Sequence, residues 1–222
     1  MSDLTLLIPA KNEKEALPVF LKEIQNLNYK KLIVVDTSDE ETKPAVKNFD
    51  DIEIISQKNS GYGNALIEGI NHCKTKYCCI INADSSMDPK YLNDMLGQCI
   101  DQDFIFASRY MKEGGSDDDD FITLIGNKIF SFIGKIFFNL KISDILYTYI
   151  LGKTKSFQDL SLNYHDYRIC VEIPIKAQRK DMNYYSIPSY ERKRVGGKKK
   201  VNVFKDGFLI LLALFRLFFY KK

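Results

Sequence analysis

Histidine is scarce. His72 and His165 are the only two in 222 residues and stand at unrelated places, which excludes a His-rich metal centre. The five cysteines (Cys73, Cys78, Cys79, Cys99 and Cys170) are odd in number, contain no C-x-x-C pair and include two neighbours in an apolar run. This pattern argues against a disulfide framework or a structural zinc site and predicts buried free thiols in a reducing cytoplasm. Excess charge is also lacking: the net value of +3 argues against a surface built as a whole for nucleic acid. The start, Met1-Ser2-Asp3, has no basic segment followed by a long apolar one, so no secretory leader is expected. No fixed-period repeat is present.

The chain does have the apolar content for a sizeable core, at 45% hydrophobic and 27% charged residues. Its first half alternates strand and helix patterns. Apolar runs at Leu4–Ile8, Leu32–Val35, Ile52–Ile55, Tyr77–Ile81 and Phe104–Ala107 read as strands. Helices are predicted from about Glu13 to Gln25 with Asn12 as cap, near Lys43–Phe49, from Gly61 to His72, and after Pro89. Continuous apolar strands separated by helices predict an α/β fold with a mostly parallel sheet covered on both faces. Ligands bind such sheets beyond the carboxyl ends of the strands. Asn12, Glu13, Asp36, Asp84, Ser108 and Arg109 stand in those places.

The second half differs. Glu113–Ser116 and the tetra-aspartate Asp117–Asp120 read as a flexible, solvated acidic linker, with a mobile lid as its functional reading. An apolar helix is expected over Phe121–Phe138, a helix kinked at Pro174 over His165–Arg179, a strand over Tyr184–Tyr190 that Pro188 marks as an edge or as bulged, and an apolar helix from about Phe204 to Tyr220. Charge is asymmetric: ten lysines and arginines face two acids over 191–222, while the remainder is net acidic. The apolar stretch Gly207–Tyr220 spans about 21 Å as a helix against about 30 Å of hydrocarbon, and it contains Arg216, so a single span is not expected. Two readings stand for it: a helix lying in a membrane interface with its cations reaching out, or one packed on protein.

Several short segments, in order, resemble the family-2 glycosyltransferases of GT-A fold, and more closely the dolichyl- or polyprenyl-phosphate mannose and glucose synthases. Pro9-Ala10-Lys11-Asn12-Glu13 is similar to the opening P-A-x-N-E, and Val34-Val35-Asp36-Thr37-Ser38 to the strand and acidic turn for base and ribose. Asn59-Ser60-Gly61-Tyr62-Gly63-Asn64-Ala65 resembles N-x-G-x-G-x-A, and Asn82-Ala83-Asp84 stands at the D-x-D position. Ser108-Arg109-Tyr110 resembles G-[ST]-R-Y, and Glu191-Arg192 with Gly196-Gly197-Lys198-Lys199 stands where those synthases carry a basic loop. Two departures are plain: Asn82 replaces the usual Asp, and Ile150 stands where an Arg closes the D-L-T-G-S-F-R segment that begins here at Asp144.

The resemblance implies a GT-A domain over 1–200, with a nucleotide-sugar half (1–110) and an acceptor half (111–200), followed by the helix 201–222. It implies an inverting transferase on the cytoplasmic side, peripheral to the membrane, using a UDP- or GDP-sugar. Donor contacts fall on Pro9, Ala10, Asn12, Glu13, Asp36, Gly61, Gly63, Asn82, Ala83 and Asp84, and Mg²⁺ or Mn²⁺ on Asp84 with Asn82. Arg109, Arg192, Arg194 and Lys199 are expected at the acceptor. A polyprenyl phosphate acceptor is already an anion and needs cations rather than a base. A saccharide hydroxyl needs a base, for which Asp144 is the carboxylate to test. A non-catalytic nucleotide-sugar-binding subunit is the third reading, permitted by Asn82.

Overall fold

The computed structural model describes residues 3–196 and 199–220. Met1-Ser2, the Gly197-Lys198 pair of the basic loop, and Lys221-Lys222 lie outside the described residues. The first five strands are β1 (Leu4–Ala10), β2 (Lys30–Val35), β3 (Glu53–Ser56), β4 (Tyr77–Ile80) and β5 (Phe104–Ser108). Between them run α1 (Ala16–Glu23), α2 (Thr42–Ala45), α3 (Tyr62–His72) and α4 (Leu92–Gln98), the last entered through a 3₁₀ turn at Pro89–Tyr91. That turn starts where proline costs no hydrogen bond, and Asp88 caps it by accepting from the Lys90 amide. The second half supplies β6 (Gly115–Ser116), α5 (Phe121–Phe138), β7 (Ile150–Lys153), α6 (Thr154–Asp159), α7 (Ile169–Arg179), β8 (Tyr184–Pro188), β9 (Tyr190–Glu191) and α8 (Val203–Phe219).

The main sheet has seven strands in the order β3-β2-β1-β4-β7-β5-β8. All neighbours are parallel except β7, which runs antiparallel between β4 and β5, with Cys79 opposite Leu151 and Ile105 opposite Leu151. The two sequence halves therefore share one sheet. Strand β8 is an edge, as Pro188 predicts, and Ser189 separates it from β9, which pairs with β6 in a small second sheet. One face of the main sheet is covered through Leu7, Val34, Phe104 and Phe106 by α3, α6, α7 and α8, and the other through Leu6, Ile8, Val35 and Ile105 by α1 and α4. Each fully buried side chain of this size contributes about 1.5–3 kcal/mol.

Three expectations are corrected. Asn12 does not cap α1, which begins at Ala16 without a side-chain cap; Asn12 is left-handed (φ 52°), and its amide donates to Asp39. The helix expected from His165 begins only at Ile169, because the 161–168 stretch folds as a loop over the start of α3. The acidic segment is not a free linker. Asp120 caps α5, Asp119 and Asp118 are nearly buried in ion pairs, and Asp117 accepts from the Tyr190 hydroxyl.

Candidate functional site

The loops after β1, β2 and β4 meet beyond the carboxyl edge of the sheet, beside a cleft lined by Asn12, Glu13, Lys199 and Lys200. After β2, Asp36 is buried and bonded at both oxygens: Oδ1 accepts from the Ser38 amide and hydroxyl, and Oδ2 from Ser60 Oγ and Lys11 Nζ. Burial alone would raise its pKa, but the bonds from Ser60, Ser38 and Lys11 win and hold it well below the usual carboxylate range. One carboxylate thus ties together the loops after β1, β2 and β3. Asp39 does the same for the loop after β1, accepting from the Asn12 amide at 2.6 Å and from the Thr42 amide at 2.9 Å, while the Glu13 amide donates to Thr42 Oγ1. Asp39 was not expected at the site; its one sequence signal is Thr42 three residues on, the spacing of a capping turn.

After β4, Asp84 is buried. Its Oδ1 accepts from the Ser86 amide and hydroxyl, and its Oδ2 lies 3.3 Å from Arg194 Nη2. Asn82 turns its Oδ1 toward the Tyr62 hydroxyl (3.4 Å), which also bonds Thr148 Oγ1 at 2.6 Å. Glu13 is buried beside Lys200; burial pushes its carboxyl up against the opposing pull of that lysine.

Gly61 and Gly63 were expected to admit a ligand to the backbone. The structure gives them a different neighbour. A Cβ on Gly61 would stand 2.3 Å from the His165 carbonyl oxygen, and one on Gly63 would stand 2.2 Å from that of Tyr164. Gly61 also has φ +133°, a conformation other residues rarely adopt. The glycines admit the 164–166 loop, which the stacking of Tyr62 on Tyr167 (5.1 Å) holds in place.

The expected acceptor cations separate into two groups. Arg109 is sealed inside. Its Nε and Nη2 donate to both oxygens of Asp144, its Nη1 reaches Glu191 at 3.0 Å and Asp119 at 3.3 Å, and its guanidinium lies 4.6 Å from the Tyr147 ring. Arg192 is bidentate to Glu23 on α1 and bonds the Ser85 carbonyl. Both guanidiniums are engaged by these protein partners. Arg194 and Lys199 do face the cleft acids: Arg194 bridges Asp84 and Asp118, and Lys199 lies 3.8 Å from Asp118. Asp144 has no free oxygen to act as a base in this arrangement.

Residues 5–161 match the family model described as glycosyl transferase family 2. The chain belongs to glycosyl transferase family 2. Its relatives include uncharacterized glycosyltransferases of Mycobacterium tuberculosis and Mycobacterium bovis, each 31% identical over 84 residues. The match covers 38% of this chain and 38% of each relative's length. Among solved structures, glucosyl-3-phosphoglycerate synthase from Mycobacterium tuberculosis with Mn²⁺, UDP and glucosyl-3-phosphoglycerate superposes with a TM-score of 0.76 at 10% identity, covering 97% of this chain and 79% of that one. The complex of that enzyme with Mg²⁺ and UDP gives 0.75 at 10% identity, with the same coverages. These likenesses establish the GT-A fold for this family-2 chain: a mostly parallel sheet between helices, followed by an apolar C-terminal helix.

Proposed function

We propose that this family-2 chain transfers a sugar from a nucleoside-diphosphate sugar, of the UDP kind, to a lipid-linked phosphate of the polyprenyl phosphate class. The observation that carries the reading is Arg194, held between Asp84 of the donor side and Asp118 of the acceptor side. A cation there has an anion to meet on each side once substrates arrive. Asp36 would hold the loops after β1, β2 and β3 in place around the nucleoside, and would meet a ribose hydroxyl or base N–H in exchange for its bond from Lys11 or Ser60. Arg194 and Lys199 are the cations for an acceptor phosphate, Arg194 in bidentate fashion.

A divalent ion fits as a partial protein site. Among the described residues no group of three or more metal-ligating side chains forms a cage. Asp84 Oδ2 is a hard oxygen paired only with Arg194, and Mg²⁺ or Mn²⁺ typically takes one or two carboxylates and completes its shell with substrate phosphates. Asp84 would hold it, with Asn82 Oδ1 as the second oxygen. The ion supplies charge stabilisation for the departing diphosphate.

The phosphate acceptor is favoured over a saccharide hydroxyl because a hydroxyl needs a general base and Asp144 is committed to Arg109. The uridine-diphosphate-glucose and phosphoglyceric acid in a complex of glucosyl-3-phosphoglycerate synthase, similar in fold, support a uridine donor and an anionic acceptor. The five free, buried cysteines support a reducing, cytoplasmic setting.

Acceptor competition tests this. With a radiolabelled UDP-sugar, polyprenyl phosphate should take up label and a saccharide acceptor should not compete. Label on the saccharide alone would move the acceptor to a hydroxyl. UDP binding with no transfer to either would make the chain a binding subunit.

A further inference from the structure

Helix α5 seats polar and small residues deepest against the domain, with Phe130, Ile133 and Phe138 half-buried on the core beside them. The residues it buries against the domain are Asn127, Ser131 and Gly134, spaced along one face. Seven of its large apolar side chains, among them Phe121, Ile129 and Phe132, are exposed. An ordinary surface helix does the reverse. Hydrogen bonds keep it in this orientation: Asn127 Nδ2 donates to the Tyr110 hydroxyl at 3.0 Å, and the Ile145 amide donates to Ser131 Oγ at 3.1 Å.

Helix α8 packs beside it, with Phe218 edge-on to Phe137 and Phe138. Its inner stripe of Ile210, Ala213, Leu214 and Leu217 is buried at ordinary helical spacing. Its outer face is apolar as well, with Phe204, Phe208 and Phe215 each more than 60% exposed. Two adjacent helices thus present one apolar surface, well beyond the scattered exposure normal for a monomer. By length and composition α5 is apolar enough to cross a bilayer, but the bonds through Asn127 and Ser131 hold it flat against the domain.

The charges on this surface select its occupant. Helix α5 carries Lys128 and Lys135 and no acid; α8 carries Lys205 and Arg216 against Asp206 alone. All four cations are exposed. A second copy meeting this face in a symmetric contact brings the same cations opposite one another and supplies almost no anion. An anionic bilayer surface supplies both an apolar layer for the phenylalanines and negative headgroups for the lysines and arginine. Helix α5 begins near the cleft: Asp120, its cap, follows Asp118 and Asp119, which pair with Arg194 and Arg109.

We infer that the outer faces of α5 and α8 together form a docking surface for an anionic lipid bilayer, with both helices lying in the interface plane. The surface follows from the two helices alone. The lipid-linked acceptor gains from it, because the cleft then opens at the level of the headgroups.

The chain contains no tryptophan, so single substitutions give clean reporters. Full-length Phe132→Trp and Phe215→Trp, with Val19→Trp on exposed α1 as control, are titrated with vesicles of phosphatidylcholine alone and of phosphatidylcholine mixed with phosphatidylglycerol. The docking surface predicts a blue shift for the first two with the mixed vesicles, none for Val19→Trp, and co-sedimentation that weakens with salt. Removing Lys128 or Arg216 should lower partitioning about five-fold each. The combined Phe132→Ser and Phe215→Ser variant should stay in the supernatant while binding UDP like the parent chain. Absence of binding to the mixed vesicles, with a dimer that the same two serines disperse, would overturn the inference in favour of a second copy. UDP binding is read separately, so a failure of the transferase reading leaves the vesicle result intact, and the reverse.

Discussion

Arg109 donates to both oxygens of Asp144, at 2.7 Å through Nε and 3.0 Å through Nη2, and the pair is closed to solvent. Glu191 and Asp119 complete a ring of three carboxylates around one guanidinium, binding strand ends to the acidic segment and to β9. Removing Asp144 leaves a buried cation short of its main partner. Asp144→Ala should therefore lose about 3–5 kcal/mol of unfolding free energy in urea. A folded, fully stable and inactive Asp144→Ala would instead assign it the role of base.

The fit of the 164–166 loop onto α3 leads to a second prediction. Gly61→Ala and Gly63→Ala each drive a methyl group into a backbone carbonyl, and Gly61→Ala adds an unfavourable φ. Each should cost about 1–3 kcal/mol. Hydrogen exchange should show the loosening at Tyr164–Asp166. Unchanged protection there would mean that the loop does not need the glycines.

Much of this was legible from the order of residues. Strands β1, β2, β4 and β5 are continuous apolar runs because both faces of the sheet are covered, and α5 shows its limits through Asp120 and Asn139. Strand β7 was not legible. It has four residues, is inserted antiparallel between β4 and β5, and lies inside a stretch that motif comparison assigns to the acceptor. The positions of Asp36 and Asp84 were correctly read as strand ends. The fate of Arg109 was hidden, because its three carboxylates come from positions 119, 144 and 191, and no local pattern links them. The tetra-aspartate looked solvated for a related reason: Tyr190 and Arg194, the partners of Asp117 and Asp118, lie 73 and 76 residues away in sequence, and nothing local marks Arg109, ten residues before Asp119, as a buried partner.

Asp36 carries a pH signature. Its folded-state pKa lies below the ordinary carboxylate value, so the unfolded chain takes up the proton first as pH falls. The stability it contributes is fully present above the unfolded value of about 3.9 and is lost as pH drops toward the folded value. Urea midpoints measured from neutral to strongly acid pH should fall more steeply for the parent chain than for Asp36→Asn. Parallel curves would contradict the bonding described.

The two partly buried arginines of the basic loop should behave differently. Arg194→Ala should raise KM for the phosphate acceptor about tenfold or more, the loss of a charge-assisted hydrogen bond, with UDP affinity little changed. Arg192→Ala removes only a half-exposed pair with Glu23 and a bond to the Ser85 carbonyl, so it should leave acceptor KM within about two-fold. Equal effects of the two would show that the loop acts as a general positive patch.

The most direct test is calorimetric titration of UDP, with and without Mn²⁺, into the parent chain and Asp84→Asn. UDP should bind the parent chain in a metal-dependent way, and Asp84→Asn should remain folded and lose the metal dependence, with affinity falling by about a hundredfold. Metal-independent UDP binding, equal in the two proteins, would contradict the assignment of Asp84 and with it the account of the cleft.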